Sequence, residues 1–251
     1  MNFTLRTVSC FLLLTVSFCL SAQISSGTIN YTEHRSFDFG DWMDAARKKQ
    51  LEAEMASGAF DQTGQISFNE EEFSYQQLPV DASKLTGRNR WMARMGENPE
   101  VYYVNVKDST RTDRRRIMDQ AFILEEAYTP PSWNIANMKV GMKELPLPTQ
   151  LATAITADGD TLTAYFTESI PLSIGPKGYG GLPGAILYLK VQSDGSATEY
   201  TMSTMAPNAK GLNILKPDDA KVITRKAFDK HMTRAKQAQE RRRRGWDRGR
   251  D

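Results

Sequence analysis

The sequence predicts a single α+β domain built on one curved antiparallel β-sheet, with a helix inserted after the first strand and a second helix near the C-terminus. Two observations favour this fold. Short segments rich in Val, Ile, Thr, Tyr and Phe recur along the chain. Two pairs of these segments flank Asp-Gly, at residues 158–159 and 194–195, and Asp-Gly in this position is a strong hairpin signal. We therefore expect an antiparallel sheet of about seven to nine strands, within the usual size range.

The first half of the chain supplies several strands and one helix. The first strand is predicted over residues 27–36, where apolar and polar residues alternate. A helix is predicted over residues 41–57, opened by Asp41 and closed by Gly58. Further strands are predicted at residues 65–78, 101–106 and 111–127.

The second half of the chain contains the two hairpins. The first pairs residues 151–157 with 161–166, and the second pairs residues 185–192 with 196–204. Residues 186–191 carry apolar side chains on both faces of the strand, so we expect this strand to be central and covered on both sides.

A last helix is predicted after these hairpins. It would begin at Pro217-Asp218-Asp219, because acidic residues are favourable in a first turn. Its weak apolar stripe is interrupted by His231 and ends near Glu240. The arginine-rich residues that follow are of low complexity, and we expect them to be unfolded on their own.

Residues 164–189 contain a core of closely spaced glycines and prolines between two strand-like ends. Glycine allows backbone angles that other residues avoid, and proline fixes one angle and removes a donor. Such a segment encodes a defined backbone path, and we predict a structural role for it. A phosphate-binding loop is disfavoured, because no Gly-Lys-Ser/Thr follows, and Pro183 stands where a dinucleotide-binding pattern needs its third glycine. The residues of this structural motif are Gly175, Pro176, Gly180, Gly181, Leu182, Pro183, Gly184 and Ile186.

The stretch Gly181-Leu182-Pro183-Gly184-Ala185-Ile186 resembles the signature of the GLPGLI family, a group of exported proteins of unknown function from bacterial envelopes, with Ala185 in place of a leucine. The family often has a cysteine after its Trp-x-Ile element, whereas residues 138–154 contain none. The resemblance implies an exported envelope protein and brings no established activity or catalytic residue. The other matching elements are Ala164-Tyr165-Phe166-Thr167, Ile170-Pro171, Gly175-Pro176, Phe122-Ile123-Leu124 and Trp133-Asn134-Ile135.

Residues 1–22 have the features of a secretory signal peptide. Arg6 supplies a positive charge, residues 8–20 form an apolar stretch too short to span a bilayer comfortably, and Ala22 is a small residue before the expected cut. We therefore expect a periplasmic or outer-membrane-associated protein that begins near Gln23 and has no membrane-spanning segment after cleavage. A single anchoring helix and a lipid on Cys19 are the alternatives.

Cysteine use fits this expectation. Both cysteines, Cys10 and Cys19, lie in the segment to be removed. The mature protein would then have no disulfide, no thiolate metal site and no thiol nucleophile.

The mature chain divides into an acidic body and a basic end. Residues 23–220 contain 19 Lys and Arg against 26 Asp and Glu, a net charge of −7, and are predicted to form the GLPGLI-like sheet domain. Residues 221–251 contain 12 and 4, a net charge of +8, and are predicted to form the basic helix and tail. A solvated tail is one interpretation, and contact with an anionic lipid or lipopolysaccharide surface is the other. We do not expect nucleic acid as a partner of an exported protein. The predicted surface contacts are Arg241, Arg242, Arg243, Arg244 and Trp246.

Few residues indicate chemistry. His34 and His231 fall in different predicted elements without a metal-binding spacing, so we expect neither to be a ligand. The acidic runs Glu70-Glu71-Glu72 and Glu125-Glu126 would alternate between strand faces, which is typical of solvated side chains. Methionine thioethers bind Cu(I), but methionine is also a common filler of cores. The closely spaced methionines are Met92 and Met95, Met138 and Met142, and Met202 and Met205.

The sequence therefore favours a non-enzymatic binding or accessory protein of the envelope, with an unidentified ligand or partner on the concave face of the sheet. It predicts no catalytic residue, cofactor site or metal site. The first alternative is a periplasmic copper-handling protein that uses methionine thioethers. The second is a hydrolase without a recognisable triad.

Overall fold

The computed structural model describes residues 24–38, 43–80, 99–137, 142 and 145–247. The predicted signal peptide, Met92, Met95 and Met138 lie outside these ranges. The strands are β1 (Gly27–Phe37), β2 (Gln62–Phe68), β3 (Glu72–Gln77), β4 (Val101–Asn105), β5 (Thr110–Ile117), β6 (Gln120–Ala127), β7 (Asn134–Ile135), β8 (Gln150–Ile155), β9 (Thr161–Thr167), β10 (Ala185–Ser193), β11 (Ser196–Pro207) and β12 (Lys221–Val222). The helices are α1 (Ala45–Ala56) and α2 (Arg225–Asp247), and a short 3₁₀ turn covers Pro176–Gly178.

All twelve strands belong to one sheet, in the order β12-β6-β5-β4-β3-β2-β1-β11-β10-β9-β8-β7. Neighbouring strands pair antiparallel, except that the two-residue β12 runs parallel to β6. The predicted α+β class is confirmed: a mostly antiparallel sheet, one helix after the first strand and one at the C-terminal end.

The sheet has more strands than the seven to nine that the sequence predicted. Residues 65–78 and 111–127 each contain parts of two strands joined by a tight turn, where the sequence pattern indicated one strand. Strands β7 and β12 are only two residues long, too short for alternation to reveal them. Turns without glycine or proline therefore account for part of the undercount.

Both Asp-Gly hairpins are confirmed. Strands β8 and β9 pair antiparallel, as do β10 and β11. Gly159 and Gly195 have φ values of 89° and 68°, which glycine adopts more readily than any other residue. Strand β10 lies between β9 and β11, and Ala185, Ile186 and Leu187 are fully buried, as expected for a central strand.

Helix α1 begins at Ala45 and not at Asp41 as predicted. Asp44 caps it, because its side chain accepts hydrogen bonds from the backbone nitrogens of Ala46 and Arg47 at 3.0 and 3.2 Å. Asp41 lies outside the described residues, and Asp44 is an equally good N-cap residue in sequence, so the pattern alone did not separate the two.

The main core lies on one face of the sheet, which we call the covered face. Alternate residues of a strand share a face, so Tyr31 and Glu33 of β1 lie on it together. Cross-strand pairs extend the covered face through β2, β3 and β4. The paired residues are Ile29, Ile66, Tyr75 and Tyr102, and each of their side chains is at most 4% exposed.

Residues 168–184, which we call the glycine-rich segment, pack onto the covered face. Ile170, Ile174 and Leu182 of this segment are buried in the same apolar cluster as Ile29 and Phe166. Each large apolar side chain buried in this way stabilises the fold by about 1.5–3 kcal/mol. The segment is therefore part of the core.

The opposite face of β3, β4 and β5 is crossed by the chain between β11 and β12. The backbone nitrogen of Leu215 donates to Ser74 Oγ at 3.0 Å. Arg114 Nε donates to Asp219 Oδ1 at 2.9 Å, and Arg114 is only 8% exposed. This part of the sheet is thus covered on both faces.

Helix α2 begins at Arg225 and not at residues 217–219 as predicted, because Lys221–Val222 form β12. Its first turns pack on β5 and β6. Phe228 is 4% exposed and lies in a second apolar cluster with Ile117, Phe122 and Leu124.

The remainder of α2 extends past this cluster. The described side chains of residues 236–238 and Arg241 are exposed. The helix continues to Asp247 and so includes the run Arg241–Arg244, which we expected to lie in an unfolded tail. The side chains of residues 239, 240 and 242–247 lie outside the described part of the structure.

Gly184→Ala should lower the melting temperature relative to the wild type. A Cβ atom at position 184 would collide with the backbone oxygen of Thr167. Overpacking costs about 1–3 kcal/mol, which corresponds to several degrees in a protein of this size. Thermal unfolding followed by circular dichroism measures the difference. A melting temperature equal to that of the wild type would contradict the close packing at Gly184.

Candidate functional site

Three hydrogen bonds hold the glycine-rich segment and the start of β10 in place. Tyr31 Oη donates to the carbonyl oxygen of Ile186 at 2.6 Å. Trp133 Nε1 donates to the carbonyl oxygen of Gly180 at 2.7 Å, and Arg111 Nη2 donates to that of Lys177 at 3.0 Å. Side chains of the sheet and of the chain before β7 thus satisfy backbone oxygens that the fold covers.

Lys177 occupies a special position at the centre of the segment. Its φ and ψ are 56° and 23°, in the left-handed region that residues other than glycine rarely adopt. Its Nζ atom lies 3.6 Å from Glu100 Oε2 and 5.1 Å from the ring centre of Tyr102. This backbone conformation costs about 1–2 kcal/mol, which the contacts of Lys177 with the sheet help to offset.

Glu100, just before β4, receives several donors. Tyr102 Oη donates to it at 2.6 Å, and Arg115 Nε and the backbone nitrogen of Arg116 each donate at 3.3 Å. Burial raises the pKa of Glu100, but the charges of Lys177 and Arg115 and these hydrogen bonds outweigh it and lower the pKa to about 2. The carboxylate is therefore ionised at neutral pH.

Glu33 is a second carboxylate on the covered face and is fully buried. It accepts hydrogen bonds from Arg35 Nε at 2.8 Å, Gln77 Nε2 at 2.9 Å and Tyr75 Oη at 3.2 Å. Burial alone would raise its pKa, but the charges of Lys177 and Arg35 and the bonds from Gln77 and Arg35 lower it. Glu33 is therefore a buried anion with donors around it, as burial of a charge requires.

Asp113 is the third carboxylate and is 1% exposed. Arg111 Nε lies 2.8 and 2.9 Å from its two oxygens. Burial raises the pKa of Asp113, and Arg111 opposes that rise without cancelling it.

We call these seven side chains the charge cluster. It combines four cations with three carboxylates, so it carries one positive charge in excess when all seven groups are ionised. Three of the cations lie within 6 Å of the Tyr102 ring centre, Arg111 at 5.7 Å, Arg115 at 5.3 Å and Lys177 at 5.1 Å. Guanidinium and ammonium groups held in this way are suited to bind an anionic group. The members are Glu33, Arg35, Glu100, Arg111, Asp113, Arg115 and Lys177.

The residues of the predicted structural motif lie in or next to the glycine-rich segment. Pro176 and Gly178 are buried in the 3₁₀ turn, and Leu182 and Ile186 are buried in the main core. The backbone nitrogen of Gly181 donates to Ser173 Oγ. A structural role for the motif remains our prediction.

The other residues considered in the sequence do not join the cluster. His34 Nδ1 lies 2.7 Å from Asp61 Oδ1, a pair that the sequence did not predict. His231 stacks on Phe122 with ring centres 5.5 Å apart. Glu71 and Glu126 pair with Lys107 and Arg225 near the surface. In the described part of the chain, no three His, Cys, Asp or Glu side chains come together as a metal-ligand set.

Sequence reasoning missed the charge cluster, although a signal was present. Glu33 and Arg35 are two residues apart on one strand, as are Arg111, Asp113 and Arg115 on another. Residues two apart in a strand share a face, so opposite charges at this spacing predict ion pairs on that face. The acidic runs singled out in the sequence are adjacent carboxylates, which point to opposite faces of a strand.

Comparison with known proteins gives a family of unknown function. The family described as "Protein of unknown function (Porph_ging)" matches residues 104–188. The matched range includes Arg111, Asp113, Arg115 and Lys177 and all eight residues of the motif. No protein with a curated description matches the chain.

Two solved structures share the fold. They are the structures of PNGF-II in the C2 and P21 space groups, each with a TM-score of 0.50 and 10% sequence identity over 83% of this chain. This chain covers 33% and 34% of those two chains, about one third of their length. At this identity the similarity concerns the fold alone. No helix among the described residues is long and apolar enough to cross a membrane.

Glu100→Gln should lower the free energy of unfolding at pH 7 by up to about 3 kcal/mol. The reason is that the pKa of Glu100 is about 2 in the folded protein and has its ordinary value of 4.5 in the unfolded chain. A lowered pKa stabilises the fold above the unfolded value, and this contribution is lost as the pH falls towards 2. The difference between wild type and variant should therefore shrink between pH 4.5 and pH 2. Urea unfolding at pH 7 and pH 3 measures it.

Glu71→Gln is the matched control, since Glu71 pairs with the exposed Lys107 and makes no contact with the charge cluster. It should change stability little at either pH. If both variants behaved alike, Glu100 would not hold the charge cluster together.

Proposed function

We propose that this chain is an exported protein of the GLPGLI type, with a binding or accessory role in the bacterial envelope, and that its ligand contacts the charge cluster on the covered face. The observation that carries the proposal is the charge cluster itself, in which strands, their flanking residues and the glycine-rich segment bring seven ionisable side chains together. The motif at residues 181–186 and the family match at residues 104–188 support the family assignment.

The chemistry of the cluster favours binding. Its members are mainly guanidinium, ammonium and ionised carboxylate groups that already form ion pairs with one another. Arg35, Arg115 and Glu100 have side chains that are 32%, 28% and 24% exposed, so one part of the cluster is accessible to a ligand. Side chains fixed by their neighbours bind with a smaller entropy loss than free ones.

The proposal includes export. Residues 1–22 have the order of a signal peptide, and removal of this segment would leave a chain without cysteine. A protein of this kind would depend on its core for stability in an oxidising compartment. The two apolar clusters of the described structure are consistent with that requirement.

The C-terminal helix would hold the protein at an anionic surface. Residues 221–251 carry a net charge of +8, and the described side chains from Lys236 to Ala238 are exposed. Each Lys or Arg near an anionic membrane contributes about 1 kcal/mol, and salt weakens this attraction over a screening length of about 8 Å. The residues expected at the surface are Arg241, Arg242, Arg243, Arg244 and Trp246.

The alternatives have less support. Met55 and Met202 are 7% and 8% exposed, and Met205 packs against the main core, which favours methionine as a core filler over methionine as a copper ligand. The His34–Asp61 pair is the nearest approach to a hydrolase dyad, and among the described residues the His34 ring has a hydrogen bond only to Asp61.

The full chain and a chain ending at Glu240, produced in a bacterium with an outer membrane, test the proposal. Both should be exported, with an N-terminus near Gln23 by mass spectrometry. At low salt the full chain should sediment with membranes and the shortened chain should remain soluble. The full chain purified from the envelope fraction should retain a bound compound or partner.

Each part of the proposal has a contrary result. A chain kept inside the cell with residues 1–22 intact would contradict export. Equal sedimentation of the two chains would contradict the role of the basic helix. Purification from the envelope without any bound compound or partner would contradict the binding role.

A further inference from the structure

The guanidinium of Arg115 is held in place by aromatic rings. Its Cζ atom lies 5.3 Å from the ring centre of Tyr102 and 5.7 Å from that of Phe228. Tyr102 belongs to β4 and Phe228 to α2, and both residues are at most 4% exposed. The orientation of Arg115 is therefore fixed by two well-packed elements before any ligand arrives.

Most of the donors of this guanidinium are unused. Arg115 Nε donates to Glu100 Oε1 at 3.3 Å, and its two terminal nitrogens have no hydrogen-bond partner within the described ranges. The Arg115 side chain is 28% exposed, so a ligand from solvent can reach part of it.

Lys177 adds a second cation at the same carboxylate. Its ammonium lies 3.6 Å from Glu100 Oε2, beyond hydrogen-bonding distance, and its side chain is 15% exposed. Glu100 thus has one negative charge facing two positive groups. Glu100, Arg115 and Lys177 together carry one net positive charge, as does the whole charge cluster.

We propose that Arg115 and Lys177 bind an oxyanion, the carboxylate or phosphate group of the ligand, which supplies the missing negative charge. This inference rests on the proposed binding function and names the chemical class of the ligand. The planar donors of a guanidinium match the two oxygens of a carboxylate or phosphate, and the ammonium adds a point charge beside them.

The electrostatics of the site support an oxyanion over other ligands. Burial opposes the charge of Arg115, but Tyr102, Glu100 and Asp113 outweigh burial and raise its pKa, and an incoming anion would add to this favourable field. A cationic ligand would increase the excess charge, and a neutral ligand would leave it in place. The fixed ring contacts of Arg115 mean that little side-chain entropy is lost when the oxyanion binds.

Thermal unfolding in the presence of inorganic phosphate or succinate, at constant ionic strength set with sodium chloride, tests this site. Both anions, or one of them, should raise the melting temperature of the wild type. A response to phosphate alone indicates a phosphate ligand, and a response to succinate alone indicates a carboxylate. Isothermal titration calorimetry on the same samples gives the affinity.

Arg115→Met should weaken binding at least tenfold, because it keeps much of the side-chain volume and removes the guanidinium. Lys107→Met is the matched control: it removes the same charge from an exposed pair with Glu71 and should bind as the wild type does. Arg115→Lys keeps the charge and loses the planar donors, so it should bind with intermediate affinity. If Arg115→Met does not fold by circular dichroism, the comparison of Arg115→Lys with Lys107→Met decides the test.

Two outcomes overturn the proposal. One is equal anion binding by the wild type, the Arg115 variants and Lys107→Met, which would mark the anion as adventitious. The other is a wild type that binds neither anion. In either case a compound retained on the chain purified from the envelope would leave the binding function standing. If the chain bound an anion at Arg115 but was never exported, the anion site would stand and the proposed envelope function would be contradicted.

Discussion

The ionised carboxylate of Glu100 joins the glycine-rich segment to the sheet through charge, and the charge cluster is arranged around this interaction. It accepts hydrogen bonds from Tyr102 and Arg115 in the sheet and attracts Lys177 in the segment, 3.6 Å away. Its lowered pKa shows that the surroundings favour the charged form. Without this charge, two cations would share a partly buried space with no counter-charge between them. Glu100 therefore contributes both to the docking of the segment and to the order of the charge cluster.

The glycine and proline content of the segment follows from the path that it must take. Gly184 leaves no room for a Cβ atom beside the backbone of Thr167, and Pro176 begins the turn that places Lys177 over the sheet. Tyr31 and Arg111 donate to backbone oxygens of Ile186 and Lys177, so the covered chain keeps its hydrogen bonds. The predicted structural role of the motif would then be to supply the backbone that positions Lys177.

Local signals in the sequence predicted the class of fold well. Asp-Gly turns and a strand that is apolar on both faces are properties of short segments, and the hairpins and the central β10 were predicted from them. The start of α2 was predicted wrongly, because Asp219 pairs with Arg114 across the sheet and does not occupy a first helical turn. The charge cluster depends on strand register: Glu33, Glu100 and Arg115 are far apart in sequence and meet only because of how the strands pair. Charged residues at every second position of β1 and β5 are a sequence signal for a charged face. This signal does not tell which of those residues would meet.

A double-mutant cycle between Glu100 and Lys177 tests most directly whether this interaction holds the segment on the sheet. The free energy of unfolding is measured in urea at pH 7 for the wild type, Glu100→Gln, Lys177→Met and the double variant. The structure predicts that the two substitutions couple, with the double variant less destabilised than the sum of the single ones by about 0.5–3 kcal/mol. Additive effects, within about 0.5 kcal/mol, would contradict the account, because Glu100 and Lys177 would then act independently.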